Sequence, residues 1–352
     1  MNRGIGFKRF VALTEVDAPK LLERMSNQDL RVDGERYGIT TRLIAKPNTT
    51  VAQLGVAVLQ RLCEVSGLEP EKLGAIVLSS RIRDVEQSAD EIIRRSRINC
   101  EAHGIERACS GFPVATQLAQ RVCLDNSKPV AIIAAEIISR NINWEPADGN
   151  LSDHHRARGQ AASLFADGAA AVLVQESDGE EVCEILDAWA GDVPDNRQLI
   201  QKTDVENTMD PWGNNRPGIT ECLSMPGRRG FVLLKRAPQI MADAVCISLT
   251  KMKSFRKLGE ELHVVPHQPN GLIITALEKR LAETLDTPPR VWNYIKDCGN
   301  TVSASIPLAM ADVQSSLSAG TLVAMSSVGA GGPGYRPDVL STGCVLFRMS
   351  GK

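Results

Sequence analysis

The chain has 352 residues, and its 40 basic and 42 acidic residues give a formal net charge of −2. This length is enough for a large core, organised either as two domains or as one large α/β unit. The near-neutral charge and the aromatic content of 4% argue against a nucleic-acid-binding surface.

The nine cysteines are scattered, without a CxxC pair or the spacing of metal ligands. This pattern predicts reduced thiols in a cytoplasmic protein without a metal site. Residues 1–13 carry positive charge but lack the long apolar core and the cleavage site of a signal peptide. No apolar run is long enough to cross a bilayer, so no membrane association is expected.

Periodicity and capping residues predict four helices in the first half of the chain. They cover residues 18–24, 50–66, 88–102 and 112–124. Compact apolar runs are typical of buried strands, and here they cover residues 74–80, 129–135 and 172–175. The segment 143–159 is predicted to be a loop. It contains His154 and His155, which as neighbours would point to different faces, so metal binding by this pair is not expected.

The stretch 192–226 is rich in Asp, Asn, Pro and Gly and has little periodicity, so it is either a lid or a long connection. Helices are predicted beyond it at 231–249, 271–285 and 302–317, with strands at 261–266, 291–295, 321–326 and 344–348. The order strand–helix–strand recurs in both halves. It predicts an α/β fold with largely buried sheets, and it suggests that the halves are copies of one fold.

Cys109 precedes an apolar run, which places its thiol at the start of a buried helix. Unpaired N–H groups and the helix dipole at such a position favour a thiolate. A lone cysteine, however, is also typical of a packed core. The assignment of Cys109 as a nucleophile therefore depends on two later stretches of the chain.

His267 and Asn300 each stand between a predicted strand and a predicted helix, where open sheets present functional side chains. The alternatives are a core histidine and a helix N-cap. An activated thiol needs a proton acceptor and a nearby oxyanion stabiliser. Neutral His and Asn side chains can both donate to one carbonyl oxygen, which suits a reaction that builds an enolate.

Three stretches, in this order, resemble the signature motifs of β-ketoacyl-acyl-carrier-protein synthase III, a family of the thiolase superfamily. They are Ala108-Cys109-Ser110-Gly111-Phe112, His267-Gln268-Pro269-Asn270 and Gly299-Asn300-Thr301. Two shorter stretches, 165–169 and 36–39, resemble further motifs of the family. The resemblance extends over about residues 20 to 349.

The resemblance implies a five-layered αβαβα sandwich of two related halves, and a homodimer. The predicted division is an N-terminal half at 1–185 with the nucleophilic cysteine, a connecting or lid segment at 186–228, and a C-terminal half at 229–352 with the histidine and the asparagine. By the same resemblance, Cys109 takes an acyl group, and His267 and Asn300 hold the carbonyl of a malonyl thioester. Loss of CO2 then gives a carbanion that attacks the acyl-cysteine and yields a β-ketoacyl product.

Further residues are implied to contact the substrate. They are Arg36, Asn270, Phe112, Gly329 and Gly331. A glycine in the stretch Gly329-Ala330-Gly331-Gly332 would complete an oxyanion hole with the N–H of Cys109. No permanently bound cofactor is implied, because CoA or phosphopantetheine thioesters are the substrates. Acyl-CoA and a transiently bound acyl carrier protein are the implied partners.

Several residues depart from the family pattern. Val32 replaces a Trp that stacks on the CoA adenine, and Leu272 replaces an Arg, so altered docking of CoA or carrier protein is expected. Glu106 is either a buried acid or base, or a salt-bridge partner. Arg81 and Arg83 either bind a substrate carboxylate or belong to a solvated loop or an interface.

These departures suggest a divergent member that serves a dedicated pathway rather than bulk fatty-acid initiation. Three alternative functions stay open. The chain is an acyltransferase that passes the acyl group to another acceptor, an inactive partner subunit of a heterodimer, or a cysteine hydrolase with its nucleophile, base and amide in papain-like order. The local cysteine signature of papain-like enzymes is absent.

Overall fold

The structure, a computed structural model, describes residues 4–145, 160–177, 183–194, 200–224, 229–252, 261–330 and 339–350. The strands in these ranges are β1 (Ile5–Ala12), β2 (Leu22–Ser26), β3 (Thr41–Ala45), β4 (Ala75–Ser79), β5 (Glu101–Ile105), β6 (Val130–Glu136), β7 (Gly168–Glu176), β8 (Cys183–Pro194), β9 (Gln201–Met209), β10 (Asn215–Ser224), β11 (Leu262–Val264), β12 (Arg290–Val291), β13 (Leu322–Ala330) and β14 (Val339–Met349). The helices are α1 (Asn27–Leu30), α2 (Val51–Ser66), α3 (Val85–Ser96), α4 (Gly111–Asn126), α5 (Arg229–Lys251), α6 (Gly271–Thr284), α7 (Ile295–Cys298) and α8 (Ser305–Val313).

Ten strands form one sheet in the order β12-β11-β13-β14-β8-β1-β7-β6-β4-β5. The two halves of this sheet have the same pairing pattern. In the first half β5, β4 and β6 are parallel, and β7 and β1 follow antiparallel. In the second half β12, β11 and β13 are parallel, and β14 and β8 follow antiparallel. The halves join where β1 pairs with β8.

The order of elements along the chain repeats as well. Apart from the two-stranded sheets β2–β3 and β9–β10 and the short helices α1 and α7, the first half runs β1-α2-β4-α3-β5-α4-β6-β7 and the second runs β8-α5-β11-α6-β12-α8-β13-β14. Identical order together with identical pairing confirms that the protein consists of two related halves.

The repeat extends to the turns that precede α4 and α8. The 3₁₀ turns Ala108–Ser110 and Val302–Ala304 both begin with a non-glycine residue at positive φ, 43° and 53° respectively. Each leads into a helix with proline at its third residue, where no backbone donor is needed. Ser303 therefore occupies the position in the second half that Cys109 occupies in the first.

The helices and half-sheets stack in five layers. α2 and α3 pack on the outer face of the first half-sheet, and α5 and α6 pack on the outer face of the second. α4 and α8 lie between the half-sheets, in a core that includes Phe112, Ile306 and Val323. This arrangement is the predicted αβαβα sandwich. No described helix has the length and hydropathy needed to span a membrane.

Three predicted elements differ from the structure. The chain predicted helical at 18–24 leads into β2, which pairs antiparallel with β3. The predicted helix at 88–102 ends with Arg97 in the left-handed region, and the chain then forms the edge strand β5. Much of the stretch at 192–226, which seemed aperiodic, is the hairpin β9–β10. These elements depend on strand pairing partners, which local periodicity does not report.

The division of the chain at 185 and 228 stays a prediction. The sheet order favours a second half that begins with β8, at Cys183, because β8 has the position in its half-sheet that β1 has in the first. The hairpin β9–β10 forms a two-stranded sheet of its own, and the first half has a two-stranded sheet, β2–β3, at the same place between its first strand and its first long helix.

We predict that Phe112→Leu lowers the free energy of unfolding by about 1–3 kcal/mol, because a core ring loses its contacts. The Phe112 ring is fully buried, with its centroid 6.5 Å from that of Phe7 and 6.4 Å from that of Phe10. Urea denaturation measures the change. Leu124→Ala on the exposed side of the same helix is the control, with an expected change below about 0.5 kcal/mol. Unchanged stability for Phe112→Leu would contradict its place in the core.

Candidate active site

Cys109, His267 and Asn300 line one cavity of about 480 Å³. All three side chains belong to buried residues. Arg36 and Asn270, which the sequence also predicted at the site, line the same cavity. Much of the remaining wall is apolar and includes Leu164, Phe165, Leu233, Leu234, Ile273 and Val328. The structure thus brings together side chains from both halves of the chain.

The turn that carries Cys109 is strained and tied to the second half. Ala108 has a φ of 43°, which is unfavourable for a residue with a Cβ. Ser110 Oγ donates to the Ser341 carbonyl of β14 at 2.7 Å. Arg107 forms an ion pair with Asp192 of β8 at 2.7 Å. These contacts hold the turn in place and present the thiol to the cavity.

The Cys109 thiol is protonated at neutral pH. Burial raises its pKa to about 12, and the carboxyl of Glu136 acts in the same direction. Burial thus outweighs the two influences that lower the pKa of this thiol, the backbone N–H of Cys109 and the guanidinium of Arg81. Helix α4 begins at Gly111, two residues after Cys109, and loss of hydration is the largest influence on the thiol. Reaction at this sulfur requires a group that accepts its proton.

His267 is a neutral imidazole whose position is fixed by Ser305. Its Nδ1 lies 2.7 Å from Ser305 Oγ, which also lies 3.0 Å from the Val302 carbonyl. Burial lowers the pKa of His267 to about 3. The neutral ring carries one N–H proton. If that proton is on Nδ1, Ser305 Oγ accepts a hydrogen bond from it; if Nδ1 is bare, Ser305 Oγ can donate a hydrogen bond to it. In these two arrangements Nε2 is an acceptor or a donor, respectively.

Hydrogen bonds fix the backbone of Asn300 and the oxygen of its side-chain amide. Its N–H donates to the Leu164 carbonyl at 2.9 Å, and its carbonyl accepts from Ala166 N–H at 3.0 Å. Its Oδ1 accepts from the N–H of Val302 at 2.9 Å. Because the oxygen is engaged, the amide NH2 is the end that can donate to a ligand in the cavity.

Of the two glycines predicted to contact the substrate, the structure describes Gly329 but not Gly331. A Cβ built on Gly329 would lie 3.1 Å from the Cys109 nitrogen, so only glycine allows this close approach of β13 to the cysteine turn. Gly331 lies outside the described residues, as do His154 and His155.

Phe112 was predicted to contact the substrate, but the structure places its side chain in the core. Its ring is in the central core layer, with Phe7 and Phe10, and it is not part of the described cavity wall. It follows Cys109 by three residues on the same chain segment, but helix α4 turns its side chain away from the cavity and into the space between the half-sheets.

Leu272, which departs from the family pattern, lines the cavity together with Arg36 and Asn270, which match it. Arg36 lies 5.4 Å from the centroid of the Tyr37 ring, a cation–π contact. Leu272 lines the cavity and is 48% exposed. Asn270 caps helix α6, with its Oδ1 accepting from Ile273 N–H at 2.9 Å. The rim therefore offers a cation next to apolar surface.

Arg81 and Arg83 do not belong to the described cavity wall. Arg83 pairs with Glu221 of β10 at 2.6 Å. Arg81 is buried, and its backbone N–H donates to Glu136 at 3.0 Å. Glu106 is partly exposed, and its charge acts on the guanidinium of Arg81. These contacts favour structural roles for the three residues over substrate binding.

Sequence reasoning missed Glu136, a fully buried carboxyl next to the cysteine turn. Its Oε1 accepts from Ser303 Oγ at 2.5 Å and its Oε2 accepts from Arg81 N–H. Burial raises its pKa to about 7. The available signal was an acidic residue directly after the apolar run at 129–135. Within the described ranges, no three His, Cys, Asp or Glu side chains form a metal site.

Comparisons with known proteins agree along the chain. The family model described as 3-oxoacyl-[acyl-carrier-protein] synthase III matches residues 104–192, and the model of its C-terminal part matches residues 258–335. The β-ketoacyl-[acyl-carrier-protein] synthase III of Oleidesulfovibrio alaskensis is 30% identical over 308 residues, covering 84% of this chain and 86% of the relative.

Solved structures agree as well. The 3-oxoacyl-(acyl carrier protein) synthase III of Pseudomonas aeruginosa matches with a TM-score of 0.71 at 22% identity and covers 99% of both chains. The enzyme of the same name from Aquifex aeolicus matches with a TM-score of 0.67 at 25% identity and covers 98% of both chains.

We predict that Glu136→Gln accelerates alkylation of Cys109 by iodoacetamide above pH 7. Glu136 is ionised above its pKa of about 7, and its negative charge raises the pKa of the thiol. Removing that charge should increase the rate roughly three- to tenfold at about pH 9, because the thiolate fraction changes tenfold per unit of pKa. Peptide mass spectrometry resolves Cys109 from the other cysteines.

Below pH 7 the carboxyl of Glu136 is protonated in the unmodified protein, so the two proteins should react at similar rates. Glu101→Gln on the edge strand β5 is the control and should leave the rate unchanged at each pH. An equal or slower rate for Glu136→Gln at about pH 9 would disprove the coupling.

Proposed function

Because this chain belongs to the β-ketoacyl-[acyl-carrier-protein] synthase III family, we propose that it condenses an acyl thioester with a malonyl thioester, with loss of CO2. The protein is a condensing acyltransferase. The observation that supports these roles most directly is the convergence of a buried thiol, a neutral imidazole and an oriented amide on one cavity.

In the first half-reaction, Cys109 attacks the carbonyl of the acyl thioester. A new S–C bond forms, and the S–C bond to the leaving thiol breaks. His267 takes the thiol proton at Nε2, with its Nδ1–H donating to Ser305 Oγ, and passes it to the departing thiolate. Its low pKa makes the proton transfer transient, so the imidazole is neutral again afterwards.

In the second half-reaction, the malonyl thioester loses CO2, and the electron pair of the broken C–C bond moves into an enolate. His267 then donates from Nε2, with Ser305 Oγ donating to Nδ1, and Asn300 donates from its NH2. This is the other neutral tautomer of the ring. Between the half-reactions one proton leaves Nδ1 and one is taken up at Nε2, and the Ser305 hydroxyl then turns from the Val302 carbonyl to donate to the bare Nδ1. The carbanion attacks the acyl-cysteine, a C–C bond forms, and the Cys109 thiolate leaves and takes up a proton.

The acyl carbonyl also carries negative charge while Cys109 attacks it. The backbone N–H of Cys109 is one proposed donor for that oxygen, and the close approach of Gly329 supports a second donor from the same glycine-rich segment. The turn Ala108–Ser110 is fixed before substrate arrives, so this donor needs no reorganisation.

The substrates we propose are CoA or carrier-protein thioesters. The apolar cavity wall suits an acyl or pantetheine chain, and Arg36 at the rim suits a phosphate. A homodimer, a transient complex with acyl carrier protein, and a cytoplasmic location complete the proposal. The nine free cysteines support a reducing compartment.

Cys109→Ala should abolish formation of an acyl-enzyme, because no other group at the site provides the sulfur. Intact-protein mass spectrometry after incubation with a panel of acyl-CoAs, including dicarboxylic ones, measures this, and the mass gained identifies the acyl group. No adduct on the unmodified protein with any donor would favour the alternative of an inactive partner subunit.

Asn300→Ala should leave acylation of Cys109 within about twofold while lowering malonyl-dependent product formation about 10²–10³-fold, as expected for loss of one oxyanion donor. Intact-protein mass spectrometry of quenched reactions measures acylation of Cys109, and chromatography measures the malonyl-dependent product. Unchanged malonyl-dependent product would show that the roles are assigned incorrectly. Acyl transfer without CO2 release in the unmodified protein would favour an acyltransferase that uses another acceptor.

A further inference from the structure

Arg42 of β3 is a buried cation close to the active site. Its side chain is fully buried, and its pKa, lowered by burial to about 10, leaves it charged at neutral pH. No carboxylate in the described part of the chain forms a hydrogen bond with it. A buried charge without a counter-ion is costly, so its presence here points to a specific role.

The guanidinium of Arg42 donates to backbone and amide oxygens. Nη1 lies 2.8 Å from the Ala162 carbonyl and 3.3 Å from the Phe165 carbonyl. Nη2 lies 2.7 Å from Oδ1 of Asn27 in helix α1. The planar fork therefore links helix α1 to the segment 162–165.

That segment is the one that holds Asn300. The carbonyl of Leu164, in this segment, accepts from the Asn300 N–H, and the N–H of the adjacent Ala166 donates to the Asn300 carbonyl. Phe165 lies between them and forms an isolated parallel β-bridge with Asn300. In addition, a Cβ built on Gly299 would lie 3.4 Å from the Cβ of Arg42, so the arginine also packs beside the residue before Asn300.

We propose that Arg42 is a positioning residue, which fixes the Asn300 amide in the orientation that receives the developing negative charge of the malonyl thioester. This inference rests on the proposed function. Arg42 acts on Asn300 through the carbonyls of 162–165 and does not touch the substrate. It therefore serves decarboxylation and not acylation of Cys109.

The surrounding chain leaves room for this arrangement. A Cβ built on Gly34 would lie 2.6 Å from Arg42 Nη2 and would also collide with the amide of Asn27. Lysine has the same charge, but its compact ammonium cannot reproduce the planar fork that reaches two carbonyls and an amide at once. The geometry thus requires arginine rather than only a cation.

The test compares Arg42→Gln and Arg42→Lys with the unmodified protein. Release of CO2 from malonyl-pantetheine, the fragment common to CoA and carrier-protein donors, reports on Asn300. Alkylation of Cys109 by iodoacetamide reports on the cysteine turn. For Arg42→Gln, we expect kcat for CO2 release to fall at least about tenfold, because small misplacements of a catalytic group are costly. KM and the alkylation rate should stay within about twofold, and Arg42→Lys should recover part of the loss.

Arg216→Gln is the matched control. Like Arg42, Arg216 donates to three oxygens, here the backbone carbonyls of Arg140, Ile142 and Met209, but none of them belongs to the segment that holds Asn300. It should leave the ratio of CO2 release to alkylation unchanged. Asn27→Ala, which removes one acceptor and keeps the arginine, gives a milder second variant. We expect Asn27→Ala to lower kcat for CO2 release as well, by a smaller factor. This variant carries the test if Arg42→Gln does not fold.

Three results would overturn the inference: equal loss of CO2 release and alkylation in the Arg42 variants, an unchanged kcat, or the same split in Arg216→Gln. If Arg42→Gln does not fold, an unchanged kcat in Asn27→Ala overturns it. Failure of the proposed function is distinct, because the unmodified protein would then release no CO2 from malonyl-pantetheine.

Discussion

Cys109 and His267 are buried where their charged forms lose hydration, and this desolvation sets the protonation state of both side chains. Burial raises the pKa of the thiol to about 12 and lowers the pKa of the imidazole to about 3. The two side chains are therefore both neutral before reaction, instead of forming a thiolate–imidazolium pair. A neutral imidazole suits the proposed mechanism, because one tautomer accepts a proton at Nε2 and the other donates a hydrogen bond from Nε2, and the Ser305 hydroxyl can pair with Nδ1 in either tautomer.

The duplicated fold explains why these groups meet. Equivalent turns precede α4 and α8, and both lie between the half-sheets. One carries the Cys109 sulfur, and the other follows Asn300 and carries Ser303 in the equivalent position. Behind them, Glu136 accepts from Ser303. The two equivalent turns therefore differ in role: one places the Cys109 thiol at the cavity, and the other belongs to a buried hydrogen-bond network whose carboxyl, Glu136, raises the pKa of that thiol.

Elements with local signals could be predicted from the sequence. The helix Val51–Ser66 begins after Thr50, whose side chain and that of Gln53 form a capping box, and its apolar face is regular. The hairpin β9–β10 and the edge strand β5 could not be predicted, because each of these strands is stabilised by pairing with another strand, which the local sequence does not reveal. At the site, three motifs predicted the residues that line the cavity. The charge of Cys109, and the places of Glu136 and Arg42, depend on burial and on contacts between distant segments, which motifs do not encode.

The central claim is that Cys109 and His267 are neutral together before substrate binds. A titration of thiolate absorbance in the ultraviolet, comparing the unmodified protein with Cys109→Ala, tests it directly. We expect no difference in absorbance between the two proteins from about pH 5 to pH 9, because the thiol is protonated throughout this range. A thiolate signal that belongs to Cys109 at neutral pH would contradict this account.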